Sequence, residues 1–397
     1  MNQDDIVIVA AKRTPQGAML GNLSSLSAPQ LGAVAHRGAL EQAGISPSDL
    51  SEVISGCVLQ AGIGQAPARQ AAILANIPDS IGATTINKMC GSGMKAVMLA
   101  HDLIKAGSAD IVLASGMESM SNAPYLLSKA RQGYRLGHGE LKDHMFLDGL
   151  EDAYDRGKLM GCFADATATH YKFTREQQDA FAIRSTTRAL QAQKDGFFDA
   201  EIVPVSIAGR KGDLTSIALD EGPDAAKIPK ISQLRPAFRA DGTVTAANSS
   251  SISDGAASLI LMTASNAKQR GLKPLAKIVA HATHAQAPEW FTTAPVKAIQ
   301  HVLTKAGWQP NDVDLYEINE AFAVVTMAAI ADLELDIDKV NIHGGACALG
   351  HPIGASGARI IVTLIHALIR LQKSRGIAAA CIGGGEATAI AIEVLYA

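Results

Sequence analysis

Short apolar runs alternate with stretches of helical period along this chain. Ile6–Ala10, Glu52–Val58, Ile111–Ser115, Ser258–Met262, Leu315–Ile318 and Ile377–Ile382 have the length and apolar content of buried strands. Gly93–Ala106, Pro295–Ala306 and Ser356–Gln372 carry the wider apolar spacing of helices packed on one face. Strands and helices in alternation predict an α/β fold with largely buried sheets.

The pattern repeats. ALEQAGISPSDLSEVISG (39–56) matches VLTKAGWQPNDVDLYEIN (302–319), with Ala43-Gly44 on Ala306-Gly307, Pro47 on Pro310 and Asp49 on Asp312. Each reads as a helix stopped by Gly, a Pro-bearing turn and a strand. Gly91-Ser92-Gly93 and Ala355-Ser356-Gly357 each precede a long helix. DGAASLILM (254–262) matches GEATAIAIE (385–393). The expected organisation is two copies of one α/β unit: residues 1–120 with 251–271, and residues 272–397. Residues 121–250 would be an insert, richer in charge and tyrosine, in which Thr174-Arg-Glu-Gln177 is a capping box opening a helix. Duplicated units bind ligands between them, in loops beyond the strand ends.

Composition narrows the class. The chain has 397 residues, 48% of them hydrophobic, enough for a large core. A net charge of −3 with basic residues spread along the chain gives no nucleic-acid surface. The opening MNQDDIVIVAAKRT puts two aspartates before a short apolar run, unlike a secretory leader. No apolar run reaches the roughly 20 residues of a membrane span. A soluble, cytoplasmic enzyme is expected. The five cysteines form no CxxC pair, which argues against a zinc knuckle or a dithiol redox pair.

Four motifs could carry chemistry. Cys90 is followed by Gly-Ser-Gly and a helix, where the dipole and free N–H groups favour a thiolate. The same glycines, Gly91-x-Gly93-x-x-Ala96, imitate a dinucleotide fingerprint with Asp110 beyond it, but that fingerprint opens a first βαβ unit and this one begins near residue 90. His351 lies among small residues in GGACALGHPIGASG, as an imidazole poised to take a proton would. Cys381 closes a strand before Gly-Gly-Gly and could reach a cleft floor. Asn319, at another strand end, could orient a water or an oxyanion, or could cap a helix with Glu320 in its first turn.

Together these motifs resemble the thiolase family along nearly the whole chain, from IVIVAAKRTPQGAMLGNLSSL to CIGGG. The resemblance implies two α/β repeats stacked as five layers, with a loop domain inserted in the first. It implies Cys90 as the acylated nucleophile, His351 as its activator, and Cys381 as the acid/base that protonates the leaving thiolate and takes the α-proton. It implies Asn319 as holder of a water beside the enolate, and the N–H groups of Cys90 and Gly383 as the oxyanion site. Acetyl-CoA, acetoacetyl-CoA and CoA would be substrates and products, with no metal or other cofactor. Ala246 and Ser250 resemble the loop along the pantetheine arm. Phe238 resembles a wall of that tunnel, and Met160 the loop over the acyl end.

Some positions depart from the family pattern. Leu159 stands where short-chain members often have His or Gln before Met-Gly. Phe291, in Ala287-Pro-Glu-Trp-Phe291-Thr, stands where many have Met and would narrow the acyl pocket. No arginine falls in Asp220–Lys227 to face the adenine, and Glu386 follows CIGGG where Met or Gln is commoner. The basic run Lys129–Lys142 resembles a tetramerisation loop, so a homotetramer is expected. The expected reaction is acetyl-CoA C-acetyl transfer. The alternatives are a broader 3-ketoacyl-CoA thiolase, a non-catalytic acyl-CoA-binding protein and, remotely, a nicotinamide dehydrogenase.

Overall fold

The computed structural model describes residues 2–209 and 213–396. The first half runs β1 (Ile6–Arg13), β2 (Gly17–Ala18), α1 (Ala28–Ala43), β3 (Glu52–Gly56), α2 (Pro67–Leu74), β4 (Gly82–Ile86), α3 (Ser92–Lys105) and β5 (Ile111–Ser119). An excursion follows: β6 (Tyr125–Leu127), β7 (Leu141–Asp143), α4 (Met160–Tyr171), α5 (Arg175–Lys194), β8 (Val205–Ala208) and β9 (Leu214–Ile217). The chain returns as β10 (Ser253–Thr263) and α6 (Ala264–Gln269). The second half is β11 (Ala276–Ala285), α7 (Ala294–Ala306), β12 (Leu315–Ile318), α8 (Ala323–Asp332), α9 (Ala346–Leu349), α10 (Ile353–Leu371), β13 (Arg375–Ile382) and β14 (Glu386–Val394).

Sheet order exposes the repeat. The first half pairs as β4-β3-β5-β10-β1 and the second as β12-β13-β14-β11, with a parallel bridge from Tyr316 to Val340 standing where β4 stands in the first. In both, the inner pair is parallel (β3 with β5, β12 with β13) and the last two strands antiparallel. The sheets join along a short seam, Val7 on Lys277 and Ile8 on Ala276. The matched turns agree too. Gly44 and Gly307 stop α1 and α7 at φ +65° and +69°, and a 3-10 turn opens at Pro47 and at Pro310. A residue with a Cβ would resist that left-handed geometry.

Five layers result. α1 packs on the outer face of the first sheet, and α7 and α8 on the outer face of the second. α3 and α10 lie between the sheets in the largest core cluster, with Met94, Ile360, Ile361 and Leu364 fully buried. These two helices cross where a Cβ on Gly93 would stand 2.7 Å from the Ala358 nitrogen and one on Gly357 2.5 Å from the Met94 nitrogen. Only glycine permits that approach, and it brings the two helix starts together.

Three sequence expectations change. α10 begins at Ile353, three residues before the expected Ser356. It is 19 residues long and apolar enough to cross a membrane by composition, yet it is buried between two sheets. A mostly apolar helix suits a middle layer, and its one polar stripe, Ser356, Arg359, Thr363 and His366, is taken up by buried partners rather than by solvent. Edge strand β4, GATTI, and strand β11 escaped the periodicity because exposed or half-buried positions interrupt their apolar runs.

Candidate active site

The two middle-layer helices begin side by side, and each start carries a candidate group. Cys90 lies two residues before α3, and Met89 ahead of it is held at φ +46°. A non-glycine residue in that region is costly, and such strain is characteristic of residues aimed by a turn. His351 lies two residues before α10, after Gly350 at φ +97°. A Cβ on Gly350 would strike Ser253 Oγ, so this loop closes only on glycine.

Between these starts opens a cavity of about 370 Å³. Cys90, His351 and Gly383 line its reactive end. Met160, Phe238, Ala246, Ser250 and Phe291 line its walls, so eight of the ten residues singled out from sequence share one cavity. The other two, Cys381 and Asn319, are 0% and 1% exposed and lie behind that surface. Leu150, Ile252 and Phe322 are among the other lining residues. They carry no chemical signature, and nothing in the sequence marks them.

The hydrogen bonds of His351 define its tautomer. Ser356 Oγ donates to the Pro352 carbonyl at 3.0 Å and lies 2.5 Å from His351 Nδ1. With that hydroxyl proton committed, Nδ1–H donates to Ser356 Oγ, and Nε2 keeps its lone pair. Nε2 is buried with no protein partner. Burial, with Arg359 nearby, pushes the imidazole down to about 3, so it is neutral at pH 7 and able to accept a proton. The sequence marked the ring as a proton acceptor but could not show how completely it is enclosed. Asn319 Nδ2 stands 3.4 Å from His351 Nδ1, and Asn319 Oδ1 is likewise buried without a partner.

Cys90 also departs from expectation. Burial pushes its thiol up to about 11; the N–H groups of Gly383 and of Cys90 itself pull the other way, and Glu118 adds to the rise. The start of α3 therefore does not prevail over desolvation, and the resting group is a thiol. Burial raises Cys381 well above the ordinary thiol range, and its neighbour Cys90 raises it further.

The supporting parts are buried and polar. Glu118, at the end of β5, accepts from the N–H groups of Val58, Leu59 and Gly354 at 2.8 to 3.1 Å, tying two loops to the start of α10. Burial pushes it up to about 7. Asn319 does not cap a helix, because α8 begins at Ala323 with Phe322 at its N-cap. Glu320 is fully buried instead, accepting from Asn341, Ser185 and the Cys347 N–H. Glu386 pairs with Lys88, joining the Cys90 loop to the start of β14. Asp220, in the segment where an adenine contact was sought, pairs with buried Arg13.

The walls are aromatic. Phe291 meets Phe163 and Phe322 edge to face at 6.3 and 6.4 Å, and Phe322 meets Phe238 at 5.9 Å. A Cβ on Gly161 would stand 2.2 Å from the Phe238 ring, so the Met160-Gly161 pair exists to let that ring in. The dinucleotide reading fails on the same kind of test. A Cβ on Gly91 would meet Ile382, and one on Gly93 would meet Ala358, so these glycines serve packing and leave no cradle for a pyrophosphate.

Comparison with known proteins agrees with this geometry. Residues 6–265 match the family model for the thiolase N-terminal domain, and residues 272–394 that for the thiolase C-terminal domain. An acetyl-CoA acetyltransferase of Cupriavidus necator is 50% identical over 98% of this chain and 99% of its own length. Acetyl-CoA acetyltransferase 2 of Arabidopsis thaliana is 49% identical over all of this chain and 98% of its own. The crystal structure of the Bacillus anthracis acetyl-CoA acetyltransferase superposes with a TM-score of 0.96 at 42% identity, covering 98% of this chain and 99% of that one. By sequence along both halves and by structure, the chain belongs to the thiolase family.

Proposed function

We propose that this chain is an acetyl-CoA C-acetyltransferase, condensing two acetyl-CoA to acetoacetyl-CoA and CoA and catalysing the reverse thiolysis. The observation that carries the reading is a protonated thiol, Cys90, in one cavity with a neutral imidazole whose Nε2 has no protein partner. His351 Nε2 takes the Cys90 proton as Sγ attacks the thioester carbonyl. The N–H groups of Cys90 and Gly383 hold the oxyanion. The tetrahedral intermediate collapses, the C–S bond to CoA breaks, and Cys381, protonated at rest, gives its proton to the departing thiolate.

The Cys381 thiolate then takes the α-proton of a second acetyl-CoA. The enolate oxygen is stabilised from the side of His351 and Asn319, whose unpartnered buried atoms suit a bridging water. The enolate carbon attacks acetyl-Cys90, the C–S bond to Cys90 breaks, and the departing thiolate takes back the proton held on His351 Nε2, restoring the resting thiol and neutral imidazole. No step needs an external electron acceptor or a metal. The interlocked rings around Phe291 fix that wall and favour a small acyl group. Ser250, Ala246 and Phe238 would flank the pantetheine arm.

The test is intact mass after mixing with acetyl-CoA. An acetyl adduct on Cys90 that free CoA removes is expected. Cys381→Ala should still acylate and fail in condensation. Active protein without the Cys90 adduct, or undiminished condensation by Cys381→Ala, would sink the mechanism. Faster thiolysis of a medium-chain ketoacyl-CoA than of acetoacetyl-CoA would assign the broader specificity.

A further inference from the structure

Away from the cavity, three ligand-bearing groups converge on one point. His101 and Asp102 project from α3, and His281 from β11 of the other repeat. His101 Nδ1, Asp102 Oδ1 and His281 Nε2 form a triangle with edges of 3.2, 3.0 and 2.9 Å. Hydrogen bonds do not satisfy this triangle. If both rings donate to Asp102, their N–H groups face each other across the 3.2 Å edge; if only one donates, the other ring's lone pair faces the carboxylate oxygen at 2.9 or 3.0 Å. A cation resolves the conflict, because it takes lone pairs from all three atoms at once.

The dimensions suit a first-row divalent ion. Bonds of about 2.0–2.1 Å to nitrogen and oxygen place an ion about 1 Å above the plane of the three atoms, within reach of all of them. The donor set, two imidazoles and one carboxylate on one face, suits Zn²⁺ and its neighbours and leaves the opposite face for water. The imidazoles are mostly buried, with side chains 19% and 16% exposed, while Asp102 is 53% exposed and leaves an entry. Lys305 Nζ donates to the His281 carbonyl at 2.9 Å, and its charge opposes the ion.

We propose that His101, Asp102 and His281 bind one divalent transition-metal ion of the Zn²⁺ class. His101 lies eleven residues beyond Cys90, about 16 Å along the helix axis, so the ion takes no part in the acyl chemistry. It staples α3 of the first repeat to β11 of the second and stabilises the folded state by mass action.

The experiment uses the full chain, stripped with a chelator and titrated with Zn²⁺ by calorimetry and with Co²⁺ by absorption. One ion per chain is expected, with Co²⁺ d–d bands and no thiolate charge-transfer band. Asp102→Asn, His101→Ala and His281→Ala should each weaken binding by about tenfold or more. Zn²⁺ should raise the melting temperature of the parent chain and not that of the double variant His101→Ala/His281→Ala. Undiminished affinity in the double variant, or a thiolate band marking the cysteines as ligands, overturns the proposal. Asp102→Asn, changing one exposed group, keeps the test valid if a histidine variant fails to fold.

Discussion

Cys90 owes its state to a contest between two local effects. The start of α3 and two N–H groups favour the thiolate, and burial opposes it more strongly. Thiolate is therefore scarce at pH 7 unless a proton acceptor is engaged as the substrate arrives. Below a pKa of about 11, each added pH unit multiplies the thiolate about tenfold. Alkylation of Cys90 by iodoacetamide, followed by peptide mass, should climb steeply from pH 7 to pH 10. A plateau below pH 8 would mean that Cys90 and His351 rest as a thiolate–imidazolium pair. At this scale the sequence was informative for groups whose chemistry is rare: a thiol before Gly-Ser-Gly, an imidazole among glycines, a cysteine before three glycines. It was blind to protonation, because that depends on enclosure by Glu118, Arg359 and the sheets, which lie far off in the chain.

Among the elements, the excursion between β5 and β10 is anchored to the first sheet by one buried cation. Arg13, at the end of β1, donates to Glu201 at 2.5 Å and to both oxygens of Asp220 at 2.6 and 2.9 Å, and all three side chains are 0–1% exposed. Thr363 of α10 donates to the same Glu201 oxygen, so the clamp reaches the middle layer. Removing only the cation leaves two buried carboxylates facing each other, at a cost of about 3–5 kcal/mol. Arg13→Met should lower the urea midpoint accordingly, and adding Glu201→Leu and Asp220→Leu should recover much of the loss. A loss under about 1 kcal/mol from Arg13→Met alone would show that the carboxylates simply take up protons. Such a clamp is illegible in sequence, since its members are about 190 and 210 residues apart. The repeat was legible because its parts are local. Gly after a helix, Pro in a turn and a Ser-Gly pair near the start of a middle-layer helix each constrain their own few residues, and all recur at Gly307, Pro310 and Ser356-Gly357.

For the whole molecule, burial of histidines and glutamates sets opposing pH dependences. His36, His343 and His351 are all pushed down to about 3 by burial, from 6.5. A depressed pKa gives stability that is present above pH 6.5 and lost as pH falls towards 3, because the unfolded chain takes up protons the folded chain refuses. Glu118 and Glu317 are pushed up to about 7 and 8 from 4.5, and Glu320 is raised by burial as well. Their sign is reversed: between about pH 8 and 4.5 the folded chain holds protons that the unfolded chain releases, which adds stability as pH falls. Over pH 6.5 to 4.5 these three protons on the unfolded side meet two or three on the folded side; burial also lowers His281 and His366 and raises Asp254, which add to the two sides in turn, so the slopes largely cancel. Below 4.5 the carboxyls are protonated in both states and only the histidines remain. Stability should then drop by about 4 kcal/mol per pH unit, the slope of three protons. Urea midpoints measured from pH 7 to pH 3.5 should stay flat to about pH 4.5 and then collapse. A steady decline beginning at pH 6.5 would show that the glutamates are ionised in the folded chain. In that case Glu118 holds Val58, Leu59 and Gly354 at the start of α10 as a carboxylate, and its charge faces the Cys90 thiol throughout.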